Sequence, residues 1–118
     1  MMNDWKNTLA NLVKGVGNFS KTNQPVAKAL HQLEAATTEG DVLDAKTREL
    51  ISLAVAVTTR CDGCITVHSD AALKAGATKE EIAEALGVAV AMNAGAALVY
   101  STRVLDAVAA KSAQAHGA

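Results

Sequence analysis

The chain has 118 residues, half of them apolar, with a net charge of −1 and no basic block. That excludes a phosphate-binding surface and makes nucleic acid an unlikely partner. One Pro and three aromatic residues, against abundant Ala, Val and Leu, favour close-packed helices over a β-sandwich.

Six helical segments follow in chain order. Asp4 caps the first, whose apolar stripe is Trp5, Leu9, Leu12, Val13 and Val16, and Gly15, Gly17 and Asn18 end it. The second starts at Asn23-Gln24-Pro25, because Pro suits a first helical turn, and carries Val26, Ala29, Leu30 and Leu33. Asp44 caps a third helix that runs to Thr59. A fourth begins at the cysteine pair and ends at Gly76. Thr78-Lys79-Glu80-Glu81 is a capping box that opens the fifth. Asn93 to Gly95 reads as a break, and the sixth covers Ala96 to about Ala110. The chain divides into N-terminal helices (1–42), a core (43–110) and a flexible tail (111–118) that includes His116.

The last two helices are apolar on more than one face, and a chain of this size cannot enclose both. A homo-oligomer is therefore expected, with these helices at its interface. The apolar stretch Ala85–Tyr100, broken at Asn93, is shorter than a membrane span, and the N-terminus lacks a basic region followed by an apolar one. The expectation is a soluble cytoplasmic protein, where a cysteine pair is more often catalytic or metal-binding than a structural staple.

Cys61-Asp62-Gly63-Cys64-Ile65-Thr66-Val67-His68 holds the only two cysteines. At a helix start, unpaired N–H groups and the macrodipole favour a thiolate. Cys61, Cys64 and His68 share one helix face by their spacing. Arg60 adds a positive charge next in sequence. The spacing lets one thiolate attack an oxidant and the other resolve the product into a disulfide. A zinc site built from Cys61, Cys64 and His68, with Glu49 as a fourth ligand, is the rival reading. Taken alone, Glu49 reads as a surface residue paired with Lys46 or Arg48, too far along its helix to reach Cys61 by local contact.

The run Arg48-Glu49-Leu50 through Cys61-Asp62-Gly63-Cys64 to His68, continuing through Ala71 to Ile82, resembles the alkyl hydroperoxidase D core of the carboxymuconolactone decarboxylase superfamily. The shared pattern is Glu, eleven residues, Cys, two residues, Cys, three residues, His. The resemblance implies an all-α fold assembling as trimers or hexamers. It implies a peroxidase that reduces small hydroperoxides and is recharged by a dithiol reductant such as a lipoylated protein, with no cofactor or metal of its own. It assigns Glu49 and His68 to a proton relay, Cys64 to attack and Cys61 to resolution. Thioredoxin-type logic would make the first cysteine the nucleophile instead. The sequence departs from the pattern at Gly63, where some members carry a second histidine, and this implies a weaker peroxidase. Two alternatives remain: a lactone enzyme of the decarboxylase type with His68 as its acid–base group, and a non-catalytic redox-sensing or metal-binding oligomer.

Overall fold

The computed structural model describes residues 3–115 and contains five α-helices. These are α1 (Trp5–Thr22), α2 (Gln24–Ala36), α3 (Ala45–Thr59), α4 (Asp62–Lys74) and α5 (Lys79–Ala115). No strand occurs among the described residues.

Local capping chemistry sets most of the boundaries. Asp4, Asn23 and Asp44 each accept a backbone N–H from three residues on, at 3.2, 3.3 and 2.8 Å. The Asp44 carboxyl is held below its ordinary range, chiefly by the Thr47 hydrogen bonds that favour its charged form. The capping box of α5 closes in both directions: the Glu81 N–H donates to Thr78 Oγ1 at 3.0 Å, and the Thr78 N–H donates to Glu81 Oε1 at 2.9 Å. Gly76, at φ +88°, lies two residues beyond α4 and makes the left-handed turn that a side chain would oppose.

Several expectations change. The glycines at 15 and 17 do not end α1, which runs to Thr22. Two helix-interior glycines cost only about 1 kcal/mol each, and Asn23 supplies a better boundary as the cap of α2. The break at Asn93–Gly95 is absent, so five helices stand where six were expected. Asn93 Nδ2 donates to the Ala89 carbonyl at 2.7 Å, so its side chain bonds back along its own helix and does not turn the chain out of it. Lys111 to Ala115 are helical and belong to α5. Residues 116–118 of the expected tail, His116 among them, lie outside the described residues.

The continuous α5 is also long and apolar enough, by length and composition, to cross a membrane, contrary to the reading of a shorter interrupted stretch. Its N-terminal half packs on α3. Leu53, Ala72 and Ala77 form the small core there, with Leu50, Ile82 and Leu86 against it. The Lys46 ammonium reaches Glu81 at 2.8 Å and ties the start of α3 to the start of α5. Among the described residues, α3 also packs along α4, α1 packs on α4, and α2 touches α1 alone.

The result is an open molecule. Its radius of gyration is 20.2 Å, against about 13 Å for a compact chain of this length. α1 and α2 bury no residue, and the apolar side chains of α5 between residues 91 and 113 are exposed.

Candidate redox site

The cysteine pair sits where α3 turns into α4. The turn is tight because Arg60 adopts a left-handed conformation, φ 54° and ψ 48°, and the N–H groups of Arg60 and Cys61 both converge on the Ala56 carbonyl. A left-handed arginine costs about 1–2 kcal/mol relative to the right-handed region. Cys61 then takes extended φ/ψ and becomes the N-cap of α4. Its Sγ accepts the Cys64 N–H at 3.1 Å, in the position a Ser or Asp oxygen would fill. One turn of helix brings the two Cα atoms to 5.2 Å, and the sulfurs are joined in a disulfide. Both cysteines are partly exposed.

His68 lies one turn beyond Cys64. Its Nδ1 is 2.6 Å from Glu49 Oε2, which projects from α3. A carboxylate can only accept, so Nδ1 carries the hydrogen of this bond, and in the neutral ring Nε2 keeps the lone pair. The structure thus brings Glu49 to His68 and does not leave it as a surface ion-pair partner. Lys46 is engaged with Glu81, and the Arg48 guanidinium donates to the Leu43 carbonyl at 2.8 Å. Spacing along α3 could not show this contact, because it depends on how α3 lies against α4. Glu49 and His68 are both half-buried, with side chains 22 % and 35 % exposed, so the pair is shielded but reachable by small molecules.

Two contacts around the site have no signal in the sequence pattern. A Cβ built on Gly63, between the cysteines, would come within 3.2 Å of the Leu12 side chain, so α1 occupies the space that a larger residue would need. The Thr66 hydroxyl donates to the Trp5 carbonyl at 3.2 Å and pins the start of α1 to α4. Trp5 thus anchors the N-terminal helix through its backbone carbonyl. Among the described residues, no group of three or more His, Cys, Asp and Glu side chains is arranged to hold a metal ion. With the sulfurs bonded to each other, the zinc reading has no preformed ligand set here.

Residues 24–107 match the model of the carboxymuconolactone decarboxylase family. An uncharacterised protein of Haemophilus influenzae is 50 % identical over 113 residues, spanning 96 % of this chain and all of its own length. An uncharacterised protein of Cupriavidus necator is 35 % identical, spanning 89 % of this chain and 93 % of its own. Among solved structures, the apo form of a carboxymuconolactone decarboxylase family protein from Legionella pneumophila superposes with a TM-score of 0.71. It has 36 % identity, over 83 % of this chain and 88 % of that one. A protein from Methanobacterium thermoautotrophicum gives a TM-score of 0.68 at 34 % identity, over 73 % and 97 % of the two chains.

Proposed function

Starting from the fact that the chain belongs to the carboxymuconolactone decarboxylase family, we propose that it is a thiol-dependent hydroperoxide reductase whose catalytic residues are Cys64, Cys61, His68 and Glu49. The observation that carries this reading is the Glu49–His68 hydrogen bond on the helix whose first turn holds the disulfide.

The cycle balances with these residues alone and two external reactants. In the reduced protein the Cys64 thiolate attacks the terminal oxygen of a hydroperoxide. The O–O bond breaks, the alcohol leaves with a proton, and Cys64 becomes a sulfenic acid. Cys61 then attacks the Cys64 sulfur and water leaves, giving the disulfide. An external dithiol attacks the Cys64 sulfur, displaces Cys61 as a thiolate and closes on itself, returning both thiols. Cys61 suits the role of leaving group and resolving thiolate, because its sulfur already accepts the Cys64 N–H at the helix tip.

His68 supplies the base. Glu49 orients the ring and stabilises the imidazolium that forms when Nε2 takes a proton, and that proton goes to the departing oxygen. This cycle needs a reducing compartment, so the cytoplasm is the proposed location and a lipoylated protein is a candidate dithiol donor.

The test is hydroperoxide consumption by the reduced protein with dihydrolipoamide as donor. Wild type is expected to turn over cumene hydroperoxide. Cys64→Ser is expected to abolish turnover, and Cys61→Ser to stall after one equivalent as a sulfenic acid. Equal rates in wild type and Cys64→Ser would overturn the reading. Lactone turnover that survives Cys64→Ser but not His68→Asn would assign the site to the decarboxylase-type chemistry instead.

A further inference from the structure

α4 has a second feature on a face turned away from the sulfurs. A cavity of about 500 Å³ opens between α4 and the start of α1, within the roughly 300–1,000 Å³ of small-molecule pockets. Trp5, Leu9, Ile65 and Leu73 give it a largely apolar lining, and Cys61, Cys64, His68 and Glu49 take no part in it. Ile65, Ser69 and Leu73 follow one another at four-residue intervals along α4, in a row turned about 100° from that of Cys64 and His68.

The seat of α1 leaves this cavity open. Thr66 is only 7 % exposed, and its hydroxyl donates to the carbonyl of Trp5, the first residue of α1. α1 therefore starts beside Thr66, and further along it Leu12 lies against Gly63. It runs toward the cysteine turn and does not cover the second half of α4, where Leu73 is 62 % exposed.

The polar groups of the lining select the guest. Asp70 is engaged by Lys74 at 2.9 Å. Lys6 also lines the cavity and has no ion-pair partner among the described residues, so the uncompensated charge is positive. Ser20, Ser52 and Ser101 each donate to the carbonyl four residues back, at 2.8, 2.9 and 2.6 Å. Ser69 is half-buried in the lining and makes no hydrogen bond among the described residues, which leaves its hydroxyl available to a ligand. The row from Ile65 to Leu73 covers about 12 Å of helix, a length that suits an extended medium-chain alkyl group.

We propose that this cavity binds a medium-chain monocarboxylate. The alkyl chain lies along Ile65 and Leu73, and the carboxylate accepts from the Lys6 ammonium and the Ser69 hydroxyl. A neutral alcohol of the same length would leave Lys6 without a counter-charge, and an alkylammonium would set a second cation beside it. The inference does not rest on the peroxidase reading.

The experiment follows the fluorescence of Trp5, the only tryptophan, in the full chain titrated with octanoate below its micelle concentration. A saturable change is expected with octanoate, a weaker affinity with octanol, and no binding of octylammonium. Lys6→Gln is expected to weaken octanoate roughly threefold, the scale of an exposed ion pair, and to erase its advantage over octanol. Leu73→Asp is expected to abolish binding with helicity by circular dichroism unchanged, since its side chain is exposed. Leu105→Asp, on the exposed far half of α5, is expected to keep the wild-type affinity. A change that never saturates, or octylammonium binding as well as octanoate, would overturn the proposal. So would unchanged octanoate affinity in Lys6→Gln or Leu73→Asp, or its loss in Leu105→Asp, which would place the alkyl chain on α5 instead. Binding is read without any peroxide assay, so either reading can fail alone.

Discussion

In the proposed cycle His68 would act as a base from one ring nitrogen only, because the other is committed to Glu49 at 2.6 Å. Glu49→Gln keeps a hydrogen-bond partner but removes the charge that stabilises an imidazolium. The rate of oxidation by hydroperoxide is expected to fall about 10- to 100-fold, by analogy with lost orienting partners of functional histidines. His68→Asn is expected to cost about 10²- to 10⁴-fold, the usual span for general acid–base groups. Stopped-flow oxidation of the reduced protein checks both. Arg60 and Gly63 show opposite local constraints. Arg60→Gly removes the left-handed penalty and is expected to raise stability by about 1 kcal/mol, read as a few degrees in Tm. Gly63→His forces Leu12 aside and is expected to destabilise by about 1–2 kcal/mol, with much of that recovered in a Leu12→Ala background. A histidine at this position would crowd Leu12 of α1, whose side chain would have to shift aside. This gives the departure at Gly63 a packing reason.

Helix boundaries were legible wherever side chains speak to nearby backbone. Asp4, Asn23, Asp44, Thr78 and Gly76 could all be placed from the sequence, since each acts over three or four residues. Asn93–Gly95 misled for the same reason: the sequence shows breaker residues, but not that Asn93 bonds back to Ala89 and leaves the helix whole. Of the site, the cysteine pair and His68 were legible because they lie on one helix. The Glu49 contact came only from the family pattern, because it depends on how two helices lie together. The Lys46–Glu81 link between α3 and α5 gives a prediction of its own. Its hydrogen bond holds Glu81 below its ordinary 4.5 and lifts Lys46 above its ordinary 10.5. A depressed acid stabilises above its unfolded value and loses that as pH falls through the folded one. A raised base stabilises below its unfolded value and loses that as pH rises through the folded one. Lys46→Met is therefore expected to lower Tm between about pH 5 and pH 10 and to match wild type at pH 2.5. Thermal melts across that range check it, and a deficit that persists undiminished at pH 2.5 would assign the effect to packing of the lysine stem.

At the scale of the whole molecule, one small core holds α3, α4 and the first half of α5, while α1 lies on α4, α2 lies on α1, and the far half of α5 is exposed. The sequence signalled this through helices that are apolar on more than one face. It could not show which part of α5 lies exposed, because that depends on α5 continuing past α3. The disulfide lies at the junction of these parts, at the tip of α4, with α1 against its turn and Glu49 and His68 behind it. The central claim is that these two sulfurs accept oxidation from a hydroperoxide. Its most direct measurement is the intact mass and free-thiol count of the fully reduced chain after one equivalent of cumene hydroperoxide. The account predicts loss of both thiols, a mass lower by two hydrogens, and a linked Cys61–Cys64 peptide. Two thiols still free and an unchanged mass, in a protein that remains folded, would contradict it.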